Sequence, residues 1–376
     1  MQINIFCNPI GISGPASFHR NFCESLLKEG AELSIDCQQP EQIELPELYN
    51  AAKCQEFENS PAIMLDSIYS WWGRFPMRHN GLVGGIVFEG IPAPYEWILA
   101  AAQPTLDHIW VPSNHIKESL LEGVTEYGIK NTVNFEDKIK IVPHGVDPSI
   151  FNPEVERGLL ETQDEHFTFG YVGGWSQGGK DRKGLDIAYR AFCEEFSDRE
   201  KVKLVMKITT VYNTPGYDPV KELKKFEPTT AHAPTSLVLS DFKDINQLAK
   251  LYRAFDVMVY PSKAEGFGLT AAEAMACGVP VISSSFGGQT DFINKENGWL
   301  VKSDGLIPAT DKNFFYENTK WALPSKDDFR VKMRYAFDNQ GEVRFKGLKA
   351  AKQIAENYTW EKTAKLAVKL LKELKD

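Results

Sequence analysis

The sequence predicts an α/β protein built from two Rossmann-like domains in tandem. Three observations predict it. Short apolar runs alternate with helical patterns, the signature of parallel sheets. The alternation starts twice, each time with a strand, a glycine-rich turn and an amphipathic helix. A polar, acid-rich stretch over 152–165 separates the two starts and reads as a linker. The 376 residues also suit two domains, at about 100–200 residues per domain.

The first domain opens with a strand at Ile3–Phe6, followed by the turn Asn8-Pro9-Ile10-Gly11-Ile12-Ser13-Gly14-Pro15. A helix over about 16–29 places Phe18, Phe22, Leu26 and Leu27 near helical spacing, and Gly30 ends it. Strands are expected at 31–35, 61–65, 81–88 and 106–111, with a helix at 95–102. Ser113 can cap a helix through Leu121. A short strand over 140–142 then leads into Pro143-His144-Gly145-Val146-Asp147-Pro148.

The second start is the strand Phe167–Val172 with the turn Gly173-Gly174-Trp175, which runs on to Lys180-Asp181-Arg182-Lys183-Gly184. A helix follows over 185–196. Strands are expected at 202–208, 237–239, 257–260 and 279–283, and helices near 245–255 and 269–277. The stretch 327–376 reads as helical, interrupted around Trp360. Ligands of such sheets sit at the C-terminal ends of the strands, so two facing sheets imply a cleft between domains.

Composition excludes several classes. The 42 basic and 51 acidic residues leave a net charge of −9. That argues against a broad surface for nucleic acid or anionic lipid. No apolar run reaches the roughly 18 residues of a membrane span, and the N-terminus lacks the basic n-region of a signal peptide. Cys7, Cys23, Cys37, Cys54, Cys193 and Cys277 are scattered, with no Cys-x-x-Cys pair. They read as reduced thiols of a cytoplasmic protein, with no structural zinc.

The segment from Pro261 to Pro280 carries the most chemistry. A strand ends at Tyr260; the loop holds Glu265, Gly266 and Gly268; an alanine-rich helix follows and stops at Gly278. Glycines let a ligand approach the backbone, and a helix N-terminus offers free N–H groups to a phosphate. A carboxylate there can accept hydrogen bonds from sugar or ribose hydroxyls. Taken alone, the same pattern also fits a plain tight turn with Glu273 as a solvated helix residue.

The wider segment resembles the family 4 retaining nucleotide-sugar glycosyltransferases, which have the GT-B fold. Their signature, a Glu followed by seven residues and a second Glu, matches Glu265 to Glu273, and Gly-Phe-Gly-Leu and Ala-Met-Ala-Cys-Gly-Val-Pro-Val-Ile match around it. Ile141–Asp147 with Phe151-Asn152-Pro153 resembles the crossover into the second domain. Arg182-Lys183-Gly184-Leu185-Asp186 resembles its basic element, and Asn357–Lys362 the C-terminal hinge. The resemblance is strong over 140–300 and at the C-terminus, and weaker over 1–139. It implies an N-terminal acceptor domain over 1–152, completed by a returning helix over 361–376. A donor domain would span 153–360, facing it across a cleft.

By that resemblance, Glu273 would hold the donor's ribose hydroxyls and Glu265 hydroxyls of the transferred sugar. The backbone of Gly266, Phe267, Gly268 and Leu269 would face the sugar and the diphosphate. Lys183 would neutralise the diphosphate as it leaves. The place after the second domain's first strand, where the family often has its phosphate arginine, holds Gly174 and Trp175 after Gly173. Either Arg182 or Lys180 substitutes, or Lys183 acts alone. Asp291 stands where relatives have Glu. Gly11 and Gly14 would close over the phosphate or sugar, or form a plain β-α turn.

No Asp-x-Asp occurs in the chain, so the resemblance implies a metal-independent reaction with a nucleoside-diphosphate sugar as donor and no cofactor. The acceptor would be a glycan or small molecule. Glu89-Gly90 and Trp97 are candidates for the acceptor side. The cluster Trp71-Trp72 with Arg74, Arg78 and His79 reads as a stacking surface or as core plus loop. His19 and His144 read as structural. Lys362, Lys365, Lys369, Lys372 and Lys375 make one side of the last helix basic, which allows a peripheral membrane contact but is met more simply by a solvated face. Nucleic-acid binding is not expected, and the oligomeric state is not readable. The alternatives are a nucleotide-sugar epimerase or hydrolase of the same fold, a protein that binds nucleotide without turnover, and a nicotinamide oxidoreductase. For the last, neither first turn has the Gly-x-Gly-x-x-Gly pattern.

Overall fold

A computed structural model of the chain describes residues 1–10, 14–75, 79–129, 135–158, 165–175, 180–209, 217–229, 232–239, 244–310 and 316–374. The chain divides into two compact units. One comprises Met1–Gly145 with Tyr358–Asp376, the other Val146–Asn357.

The first unit runs β1 (Gln2–Phe6), α1 (Gly14–Lys28), β2 (Glu32–Asp36), α2 (Pro46–Lys53), β3 (Ala62–Met64), α3 (Ile68–Trp71) and β4 (Leu82–Gly85), then α4 (Tyr95–Ala101), β5 (His108–Val111), α5 (Asn114–Glu126), α6 (Phe135–Lys138) and β6 (Ile139–Ile141). Its sheet has the order β2-β1-β3-β4-β5-β6, with every pair parallel. The order reverses between β1 and β3. The strands are short apolar runs because both faces of a parallel sheet are buried; Ile3, Ile5, Ile63 and Val83 have no exposed surface. Ser113 caps α5, its side chain accepting from the Ile116 N–H. The strand expected over 81–88 is confined to Leu82–Gly85. Beyond it, Glu89 and Gly90 leave the sheet and bond to α5 instead: their carbonyls accept from His115 Nε2 at 2.9 Å and Ser119 Oγ at 2.7 Å.

The second unit runs β7 (Phe167–Gly174), α7 (Leu185–Glu195), β8 (Val202–Thr209), α8 (Pro219–Lys224), β9 (Thr235–Leu239), α9 (Ile245–Arg253) and β10 (Val257–Tyr260), then α10 (Leu269–Ala276), β11 (Val281–Ser284), β12 (Gly298–Val301), β13 (Ser303–Pro308), β14 (Lys320–Pro324), α11 (Lys326–Asp338) and α12 (Gln340–Asn357). The main sheet has the order β12-β11-β10-β7-β8-β9. Its pairs are parallel, with Gly170 opposite Val205 and Met258. This is the doubly wound order, and the reversal falls between β7 and β10. Under it lies an apolar cluster that includes Phe169, Phe192, Phe196 and Met206, all at most 1% exposed. β13 and β14 form a separate antiparallel hairpin.

Asn357 ends α12, and Thr359 caps the final helix, α13 (Trp360–Glu373), which belongs to the first unit and packs on α1. Trp360, Thr363, Ala364, Ala367, Leu370 and Leu371 make its buried stripe at helical spacing. Its lysines are interleaved with acids. Lys365 pairs with Glu361 and lies 3.9 Å from Glu29, and Lys369 lies 3.8 Å from Glu373. That is the pattern of a solvated face. Lys375 lies outside the described residues. Among those described, no helix is long and apolar enough to cross a membrane.

Candidate active site

The chain reversal between β7 and β10 brings two loops of the second unit together at the C-terminal ends of their strands. One carries Asp181, Arg182 and Lys183 into α7; the other carries Pro261 to Gly268 into α10. Gly184 makes the approach feasible. It sits at φ +63°, and a Cβ there would lie 2.3 Å from the Pro261 carbonyl oxygen. The Lys263 N–H then donates to the Arg182 carbonyl at 2.8 Å, and the Lys183 N–H to Asp181 Oδ1 at 2.8 Å.

Glu265 is the focus of this junction. Lys183 Nζ donates to its Oε1 at 2.5 Å, Ser262 Oγ at 2.7 Å, and Arg182 Nη1 lies 3.2 Å away. Arg182 Nη1 also donates to the Ala264 carbonyl at 2.5 Å. Burial works to raise the Glu265 pKa, but Lys183 and Arg182 outweigh it and bring it down to about 2. Glu265 is therefore an anion at any working pH, with the Lys183 and Arg182 cations within reach of its Oε1. Lys180, the other basic candidate, makes no ion pair among the described residues; its carbonyl accepts from Thr310 Oγ1 at 2.6 Å.

A third loop, after β11, closes on the same place. The Gly288 N–H donates to the Glu265 carbonyl at 2.7 Å. A Cβ at Gly288 would lie 2.1 Å from the Gly266 carbonyl oxygen, so only glycine permits that passage. Ser284 Oγ donates to the Ser262 carbonyl at 2.5 Å and accepts from Gln289 Nε2 at 3.2 Å. A buried polar chain thus runs from Glu265 through Ser262 and Ser284 to Gln289. Asp291 ends the short 3-10 turn Gly288–Asp291 in this loop.

Glu273 lies just over one turn into α10 at 8% exposure, and its Oε2 accepts from Tyr252 Oη at 2.9 Å. Burial pushes its pKa up to about 7, against the lowering effects of the Tyr252 hydrogen bond and Lys207. Gly268, at φ +99°, begins α10 with no side-chain cap on the helix N-terminus. Gly173 and Gly174 are the last residues of β7, and the Gly174 carbonyl accepts from Tyr171 Oη at 2.9 Å.

The first-unit candidates fare differently. Gly11 lies outside the described residues, and Gly14 is the first residue of α1. Arg78 also lies outside them. Trp71 is fully buried, its Nε1 donating to the Asp66 carbonyl at 3.3 Å, whereas Trp72 is 45% exposed. Arg74 is held by Asp36 at 2.8 Å and Asp66 at 3.2 Å, over the Phe6 ring. His79 faces the same ring edge-on. Of that cluster only Trp72 presents a large apolar surface, and Trp97 packs beside Phe88. His19 lies within hydrogen-bond distance of the Asn8 and Leu65 carbonyls, joining the ends of β1 and β3. His144 stacks on Phe18 at 4.3 Å, and burial lowers its pKa to about 3. Both histidines are built into the core.

Ser262, Ser284, Gln289 and Tyr252 were not legible as site residues. Ser262 stands three residues before Glu265, a local signal that could have raised it. Tyr252 reads as an ordinary residue of an amphipathic helix.

Comparison with known proteins agrees with this geometry. The chain is 28% identical over 223 residues to a D-inositol 3-phosphate glycosyltransferase of Acidothermus cellulolyticus, covering 56% of this chain and 44% of that protein. It is 28% identical over 268 residues to an uncharacterised glycosyltransferase of Methanocaldococcus jannaschii, covering 68% and 58%. The chain thus spans about half the length of the curated relatives it matches. Among solved structures, sucrose-phosphate synthase from Thermosynechococcus elongatus superposes with a TM-score of 0.71 at 18% identity, over 100% of this chain and 99% of that one. Anabaena HepE, solved in complex with UDP and glucose, superposes with a TM-score of 0.69 at 13% identity, over 99% and 100%. The fold is that of the GT-B glycosyltransferases. Residues 132–366, which contain every loop of the site, match the model of the family 4 glycosyltransferases in conflict systems, and the chain belongs to that family.

Proposed function

We propose that the chain transfers a sugar from a nucleoside-diphosphate sugar to an acceptor hydroxyl, with retention at the anomeric carbon and without a metal ion. The observation that carries this reading is the meeting of Lys183 and Glu265, 82 positions apart, at the strand-order reversal of a doubly wound sheet. Such reversals are where nucleotides bind.

In this reading Lys183 and Arg182 exchange their contact with Glu265 for the donor's diphosphate. Two side-chain cations and the N-terminus of α10 then meet the charge that develops on the leaving group, the role a metal has elsewhere. Glu265, held ionised, accepts hydroxyls of the transferred sugar, and Glu273 accepts those of the ribose. Glu265 is too acidic to serve as a general base. The acceptor proton goes instead to the departing phosphate oxygen on the same face of the sugar, which gives retention. Uridine is the first base to try, because HepE was solved with UDP. The acceptor would be a glycan or small molecule.

The test is release of nucleoside diphosphate from a panel of nucleotide sugars, with and without EDTA. The expected result is turnover that EDTA leaves unchanged and that Lys183→Ala lowers by about 100- to 1,000-fold with the fold intact. Loss of turnover in EDTA, or full activity of the variant, would overturn the reading.

A further inference from the structure

Glu273 is a buried carboxylate whose two oxygens differ. Oε2 accepts from Tyr252 Oη at 2.9 Å; Oε1 has no hydrogen bond among the described residues. Tyr252 is fully buried on α9, its ring at 6.0 Å from Phe151 and 6.5 Å from Phe255. The phenol has one proton to give, and packing aims it at Glu273. Holding one oxygen fixes the carboxylate plane and leaves the other to a ligand hydroxyl.

We infer that Tyr252 is a positioning residue that aims Glu273 at the ribose and thereby sets the preference of this site for ribonucleotides over 2′-deoxyribonucleotides. The inference rests on the donor-site reading above. A site that presents a fixed, charged acceptor to a hydroxyl rejects the analogue lacking it, because the buried carboxylate is then left unpaired. Protonation removes that acceptor. The groups that face Glu273 are Tyr252 from α9 and Lys207 from β8, which favour its charged form, and Cys277, which follows α10. Tyr260 on β10 faces Tyr252.

The experiment is calorimetric titration of UDP, GDP, ADP and CDP, each against its 2′-deoxy counterpart, at several pH values from 6 to 9. The proteins are the wild type, Tyr252→Phe, Glu273→Gln and the double variant. Tyr252→Phe keeps the ring and removes only the hydroxyl. The wild type is expected to prefer a ribonucleotide by about tenfold or more, with a preference that grows with pH through the neutral range. In Tyr252→Phe the preference at pH 7 falls by about tenfold and stays below that of the wild type at higher pH, where the carboxylate is ionised but no longer held. In the Glu273→Gln background the same substitution adds nothing. Equal loss for both sugars at every pH would mark Tyr252 as packing alone, and an unchanged preference and pH profile would equally overturn its role. Equal binding of both sugars by the wild type would remove the ribose contact on which the inference stands. Binding of none of the eight nucleotides would overturn the donor-site reading itself.

Discussion

Replacing Glu273 by glutamine is expected to stabilise the protein at about pH 8 and to leave its stability unchanged near pH 4. Burial raises the carboxyl pKa to about 7 from the ordinary 4.5, so the folded state binds this proton more tightly than the unfolded chain. Folding is therefore easiest with the group protonated. The cost of ionising it begins above the unfolded pKa and is complete once pH passes the folded value. At about 1.36 kcal/mol per pH unit, the distance from 4.5 to about 7 makes that cost on the order of 3 kcal/mol. Glutamine keeps an oxygen for the Tyr252 proton and carries no charge, so it escapes the cost. Denaturant melts of both proteins across pH 4 to 8 measure the difference directly. The expected gap is absent at the acid end and widens through the neutral range. A gap that stays flat would refute the reasoning, because only a shifted titration makes it depend on pH. The gain in stability should come with loss of nucleotide affinity, the usual cost of a binding group held in a dry place.

Glu265 carries the opposite sign: its pKa is depressed, so its contribution is present above the ordinary carboxylate value and is lost as pH falls through about 2. Ser262→Ala removes a 2.7 Å hydrogen bond to that carboxylate, about 1.5–3 kcal/mol for a bond to a charged group. The acid limb of the pH–rate profile should move to higher pH, and an unmoved limb would show that Ser262 does not tune Glu265. Gly288→Ala places a Cβ where the Gly266 carbonyl stands, and should cost about 1–3 kcal/mol in a thermal melt together with nucleotide affinity; wild-type values for both would contradict the loop contact.

The legible part of this protein was the part governed by local rules. β7, β8 and β10 announce themselves as apolar runs because both faces of a parallel sheet are covered. The spacing of Glu265 and Glu273, and Lys183 before a left-handed glycine, are also local facts. What escaped depended on distant chain. β13 is exposed along nearly its whole length, so it has no alternation to read. α2 is eight residues and begins at Pro46 after an unremarkable loop. Trp71 and Arg74 read equally as a stacking surface or as core plus loop, and the structure decides between them by burying the ring and pairing the guanidinium with Asp36 and Asp66. Tyr252 meets Glu273 across 21 positions and two helices, a contact that no single-window pattern contains.

In this reading Arg182, Lys183 and Glu265 at the loop junction, with Glu273 on the helix that follows, form a nucleoside-diphosphate site. Calorimetric titration of UDP, GDP, ADP, CDP and TDP in EDTA, on the wild type and on Lys183→Ala, tests it most directly. At least one of them is expected to bind the wild type without metal, and the variant to bind it about tenfold or more weakly. No binding by any of them, or equal binding by both proteins, would contradict it.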